Sequence, residues 1–186
     1  MLELSRIEGF AWDSGNETKN LIKHGVTKEE AESVFSYEPL IVEDEAHSHT
    51  EERWAAFGRT AEGRLLTVVF ALRNNETKIR VISARDMSRR ERIMKREPRK
   101  LKELPKFRSE DEEHEFWATH DATEYFDMGK AKRVSFPNLK PSTTTISLRL
   151  PLSLLNKIKV EANKRDMPYQ TLIKSKLYEA FVTSSK

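Results

Sequence analysis

Apolar positions along the chain follow two different rhythms. Up to about residue 97 they come as short runs of strand length. Phe10-Ala11-Trp12, 40–42, 53–58, 65–72 and 78–84 read as strands, and Asn74-Asn75 supplies a hairpin turn between the last two. The 65–72 run is nearly continuously apolar, as in a central strand buried on both faces. Between these runs, residues 16–24 read as a short helix ended by Gly25. Thr27-Lys28-Glu29-Glu30 is a capping box, followed at helical spacing by Ala31, Val34 and Phe35. A second capping box, Ser88-Arg89-Arg90-Glu91, opens a helix expected to run to about Glu97. The fold class predicted for this half is α+β: two helices, an antiparallel sheet, then one helix.

The second half changes character. Ser109-Glu110-Asp111-Glu112 is a third capping box opening a short acidic helix, and 121–125 breaks that pattern. From 143 to 150 the chain alternates: Ile146, Leu148 and Leu150 face one way, and Thr145, Ser147 and Arg149 the other. Pro151 then starts a helix with the apolar stripe Leu154, Leu155, Ile158 and Ala162. After the turn Asp166-Met167-Pro168 a second stripe follows, Leu172, Ile173, Leu177 and Phe181. One strand and two amphipathic helices bury too little to fold alone, so a second copy is expected to complete this core.

Composition narrows the chemistry. The 186 residues contain no cysteine, which removes disulfides, thiolate metal sites and thiol nucleophiles. No run approaches the roughly 20 apolar residues of a membrane helix, and Met1 to Phe10 lacks a secretory pattern, so a cytoplasmic protein without membrane contact is expected. The net charge of +3 hides a strong layout. Residues 78–108 carry 13 basic against 4 acidic groups, 109–127 carry 8 acidic and none basic, and 140–186 carry 9 basic against 3 acidic. Blocks of that size suggest surfaces that meet each other or a polyanion. The proline-flanked, charged stretch 98–105 marks the boundary. The expected organisation is therefore 1–97, an intervening segment 98–140, and 141–186. Phe107, Phe116, Trp117 and Tyr125, set among the carboxylates, read as a strip that covers a partner surface, with a local core beneath the linker as the alternative. His47 and His49 lie near Asp44 and Glu45, but no metal site and no cofactor is expected.

Trp12-Asp13, the stretch 20–26, Gly58-Arg59, Ile82-Ser83-Ala84-Arg85 and Ser88-Arg89-Arg90-Glu91-Arg92 together resemble the BrnT family of bacterial type II toxins, over roughly residues 8–97. The resemblance implies a RelE-like ribonuclease fold and an RNA substrate. Metal-independent cleavage of RNA by its own 2′-hydroxyl needs that hydroxyl deprotonated, a pentavalent phosphorane stabilised and the leaving 5′-oxygen protonated. Lys23, Arg59, Arg85 and Arg89, at the ends of elements, suit the phosphorane. His24 is the acid/base candidate or else a structural helix-end residue.

The 143–182 pattern resembles the ribbon-helix-helix fold of CopG-like repressors. With Leu104-Pro105-Lys106-Phe107, Glu115-Phe116-Trp117, Arg133-Val134 and 136–139 it resembles BrnA, the antitoxin partner of BrnT. That resemblance implies a homodimer on operator DNA, with Thr145, Ser147 and Arg149 reading base edges and the amides near Tyr169 and Gln170 holding phosphate. The chain then reads as a toxin fused to its antitoxin, neutralised in cis and autorepressing. The alternative is a repressor carrying a catalytically inactive toxin-like domain. Such partners usually occupy two chains; Met94 falls where a separate antitoxin would begin.

Overall fold

The computed structural model describes residues 3–13, 15–43, 52–93 and 101–183. It divides into two compact units, 1–143 and 144–186. The first is built on a six-stranded sheet of β1 (Gly9–Phe10), β2 (Leu40–Glu43), β3 (Trp54–Arg59), β4 (Leu65–Arg73), β5 (Lys78–Asp86) and β6 (Lys132–Arg133), in the order β1-β5-β4-β3-β2-β6. β4 is central, with Leu66 to Ala71 all buried. The β4–β5 turn places Asn74, Asn75 and Glu76 at positive φ. This conformation is one that asparagine tolerates better than most residues.

Two expectations about the sheet need correction. The first strand is Gly9–Phe10 and runs parallel to β5, so the sheet is mixed rather than antiparallel. Ala11 adds one more bond, to the Ile79 carbonyl, and then the chain leaves the ladder because Trp12 Nε1 donates to Glu32 at 2.6 Å. The sixth strand, β6, was not foreseen. It comes from the segment read as a linker and pairs antiparallel with β2, Leu40 opposite Arg133.

Helices α1 (Lys19–His24) and α2 (Lys28–Val34) flank one face. Gly25, at φ 60°, ends α1 in the left-handed conformation that glycine adopts freely. Thr27 and Glu30 form the reciprocal capping box at the start of α2. The core on this face gathers Ile7, Val34, Phe35, Leu66, Val68, Phe70, Ile79 and Val81 together with Phe136 from the second half of the chain. Gly58 fits here because a Cβ would sit 2.8 Å from Val34 Cγ1, so a side chain would push α2 off the end of β3.

The opposite face of the sheet carries a second core. Val42, Ala55, Phe57, Val69 and Met87 pack with Trp117, Ala122, Tyr125, Phe126 and Met128. These latter residues belong to α4 (Glu110–Thr119) and to the stretch 122–128, which joins and includes parts of the two 3₁₀ turns after it. Helix α3 (Arg89–Ile93) follows β5. Thus residues 101–143 complete the first unit on both faces and along one edge.

The second unit is α5 (Leu152–Lys164) and α6 (Tyr169–Tyr178) packed on each other through Ala162 and Leu172, with one π-type turn (Glu179–Thr183) continuing α6. The expected strand over 143–150 is absent among the described residues. Its alternating pattern has no partner strand among the described residues, and Ile146 and Leu148 are more than half exposed. A ladder there requires another copy.

Candidate active site

The face of the sheet bearing Ala55, Phe57 and Val69 also bears arginines. Period-two alternation puts Arg53 and Arg59 on that side of β3. Between β4 and β5 the register slips at Val69 and Phe70 of β4, leaving Ile82 of β5 as an extra residue. The slip brings Arg80 and Arg85, five positions apart, onto the same face. Arg73 of β4 joins them. The result is a basic rim around an apolar centre.

Helix α4 lies across this face, and its acidic residues meet the rim one by one. Glu110 accepts from Arg80 Nε at 2.7 Å and from Arg73 Nη2 at 3.0 Å. The Arg80 hydrogen bond holds the Glu110 carboxyl below its ordinary range, against the opposing effect of burial. Glu113 grips Arg53 with both oxygens, at 2.9 and 3.0 Å. Asp111 pairs with Lys19 and Glu115 with Lys23, and each lysine lowers its partner's pKa. Trp117 is fully buried between these pairs, edge-on to Phe116 and Tyr125.

Arg85 sits at the C-terminal end of α4 with every N–H engaged. Its Nη1 and Nη2 hold the two oxygens of Glu91, at 2.7 and 2.8 Å, and Nη1 also donates to the Asp86 carbonyl. The other edge of the guanidinium, Nε and Nη2, donates to the carbonyls of Trp117 (2.8 Å) and His120 (2.7 Å). The last carbonyls of a helix lack intrahelical donors and carry the negative end of its dipole. Arg85 therefore caps α4 with the two-pronged edge that arginine also offers to phosphate. Glu91 is fully buried; it also accepts from Thr67 Oγ1, the Ser88 amide and the Ala122 amide, so the clamp ties β4, β5, α3 and the covering segment together.

His24 ends α1 beside this group. Its ring lies 5.9 Å from that of His114 on α4, and its Nε2 is buried with no hydrogen-bond partner. Burial lowers its pKa first, and His114, Lys23 and Arg85 nearby lower it further, so the imidazole is neutral near pH 7. His114 Nδ1 faces the Ile82 carbonyl at 3.0 Å and must carry the proton there.

The sequence-derived candidates thus divide. Lys23, His24 and Arg85 cluster beneath α4. Arg59 stands apart at the end of β3, its guanidinium 5.4 Å from the centre of the Tyr37 ring, and Arg89 is exposed on α3. Phe116, Trp117 and Tyr125 pack on the sheet side, and Phe107 reaches them through Phe116 at 5.2 Å. Arg149, Thr145, Ser147, Tyr169 and Gln170 are exposed in the second unit. His47, His49 and Met94 lie outside the described residues, and among the described residues no acidic or histidine cluster could hold a metal. No described helix is long and apolar enough to cross a membrane. Sequence reasoning missed Arg53, Arg73, Arg80 and Glu91. The 53-55-57-59 alternation could have found the first; the register slip hid Arg80.

Comparison with known proteins follows the same division. Residues 12–91 match the family of BrnT, the ribonuclease toxin of a type II toxin–antitoxin system, and residues 102–180 match the CopG antitoxin family of such systems. No curated protein gives a significant match. With a basic sheet face inside the first match and its acidic cover inside the second, the chain joins a BrnT toxin domain and a CopG antitoxin domain of a type II toxin–antitoxin system in one polypeptide.

Proposed function

We propose that the toxin domain is a metal-independent, RelE-like endoribonuclease held inactive by residues 107–127 of its own chain, and that the second unit is a ribbon-helix-helix dimer that binds and represses its own operator. One observation carries the first half. The edge of Arg85 suited to a scissile phosphate is occupied by the carbonyls of Trp117 and His120. In the free toxin that edge grips the phosphorane with Lys23 adding charge, Arg59, which stands apart, holds a neighbouring phosphate of the RNA, and neutral His24 takes the 2′-hydroxyl proton and passes it on to the leaving 5′-oxygen. The second half rests on the unpaired 143–150 alternation and on the apolar groove formed by Ile158, Leu172, Ile173 and Leu177, both of which a second copy would cover. Antiparallel pairing of two such segments makes a ribbon that fits a major groove, with Thr145, Ser147 and Arg149 on its outer face.

The test is to compare residues 1–97 with the full chain on a single-stranded RNA in EDTA. Cleavage by 1–97 that leaves 2′,3′-cyclic phosphate ends, with a silent full chain, supports the reading. A silent 1–97 that is folded by circular dichroism leaves a repressor with an inert toxin-like domain.

A further inference from the structure

Helix α4 does not seal the whole basic face. A cleft of about 650 Å³ stays open where β2, β3 and β4 end. Three arginines line it from three separate elements: Arg59 of β3, Arg92 of α3 and Arg133 of β6. Among the described residues none of the three forms an ion pair, although Arg92 acts through space on the Asp86 carboxylate. Arg59 lies against the Tyr37 ring, Arg92 Nε donates to the Met87 carbonyl, and Arg133 Nη1 donates to the Glu38 carbonyl. Among the described lining residues Glu38 supplies the only carboxylate, against three guanidinium groups. Three guanidinium groups around one lining carboxylate give the cleft a positive potential that favours a polyanion.

The walls say more about the occupant. Leu40, Phe57, Leu65 and Met87 give an apolar floor, and Tyr37 stands 41% exposed at the rim. A partly exposed aromatic ring beside arginines is the pairing that holds a base by stacking and its phosphates by charge. Glu38 itself is held at φ 48°, a left-handed conformation that costs a non-glycine residue energy. It presents the carbonyl that fixes Arg133.

We propose that this cleft is a nucleotide subsite for single-stranded RNA, completed by Arg133 from the antitoxin half, so that the intact chain holds RNA while Arg85 is sealed. The proposal rests on the ribonuclease reading for its choice of ligand. It adds that the antitoxin contributes a residue to substrate binding instead of only excluding substrate.

The experiment uses the full-length chain and a fluorescein-labelled, uncleavable 2′-O-methyl oligonucleotide, followed by anisotropy across a salt series. Tyr37→Ala should weaken binding by about 5- to 150-fold, the range for losing one stacked base. Arg133→Ala and Arg92→Ala should each reduce the salt slope by about 0.7, as expected for one phosphate contact on a single strand. Variants of the second unit, Lys157→Ala and Lys159→Ala, should leave that affinity unchanged. Thermal melts confirm that each variant is folded. Unchanged binding by folded Tyr37→Ala and Arg133→Ala, or loss of binding in the second-unit variants alone, overturns the subsite. Weakening by Tyr37→Ala and Arg92→Ala but not Arg133→Ala overturns the antitoxin's share in it. The outcome is independent of cleavage by residues 1–97, so subsite and nuclease can fail separately.

Discussion

Replacing Trp117 by alanine tests the covering contact at its centre. The indole is fully buried, in contact with Phe116, Tyr125 and Phe126, and its Nε1 points at Glu113 Oε1 from 3.4 Å. Truncating a buried tryptophan costs about 3–5 kcal/mol. Because α4 is tethered to the face it covers, its docking is intramolecular, at an effective concentration of about millimolar. The lost packing therefore comes directly off the closed-to-open equilibrium, lowering it by roughly 100- to 3,000-fold at 1.4 kcal/mol per factor of ten. Full-length Trp117→Ala should then cleave a fluorogenic RNA at least about 100-fold faster than the parent chain, while Trp117→Phe stays close to silent. Hydrogen exchange on the same samples reports whether residues 110–126 have been released. If they exchange freely, residues 1–97 alone cleave RNA and the variant still does not, the covering segment is not the inhibitor.

Three further outcomes follow from the geometry. In residues 1–97, Arg85→Ala or Arg59→Ala should each slow cleavage by on the order of 100-fold, measured by gel on a labelled RNA; unchanged rates for both remove them from the site. His24, whose pKa the fold lowers from 6.5, is protonated first in the unfolded chain. Its contribution to stability is thus constant above about pH 6.5 and is lost as pH falls below that value, and His24→Gln should flatten the fall in melting temperature between pH 7 and 5. In the second unit, Arg149→Ala should reduce discrimination between operator and unrelated duplex by about 1–3 kcal/mol, read by competition binding, with dimerisation unchanged by sedimentation.

Much of the first unit was legible because its signals are local. Capping boxes at Thr27 and Ser88, the glycine after α1 and the continuous 65–72 run each fix an element through its own neighbours. The third box was legible only in part. Ser109 does accept from the Glu112 amide, but Glu112 reaches back to the Arg108 amide instead of that of Ser109. What escaped depends on partners distant in sequence. β1 owes its parallel pairing to β5, nearly 70 residues on, and β6 exists only because β2 offers an edge. The parity of Arg80 and Arg85 was hidden by one extra residue, since alternation alone sends them to opposite faces. Arg85 was legible as a candidate, but its clamp on the buried Glu91 was not, because a carboxylate in a capping box gives no sign that an arginine will also claim it.

The edge pairing of β6 with β2 has a consequence in time. β2 is made early and β6 late, so during synthesis the sheet has an open edge and an uncovered basic face until the later residues arrive. The 41 residues added from position 93 through Arg133 take about 2–8 s to polymerise at typical rates of 5–20 residues per second. Throughout that interval the nascent toxin sheet is a bare edge, prone to pairing with other strands, attached to the very machine and message a ribonuclease would meet first. A chain whose covering segment lies downstream of its basic sheet face thus leaves that face bare once per molecule, at birth, and the speed at which α4 and β6 dock sets how long it stays bare.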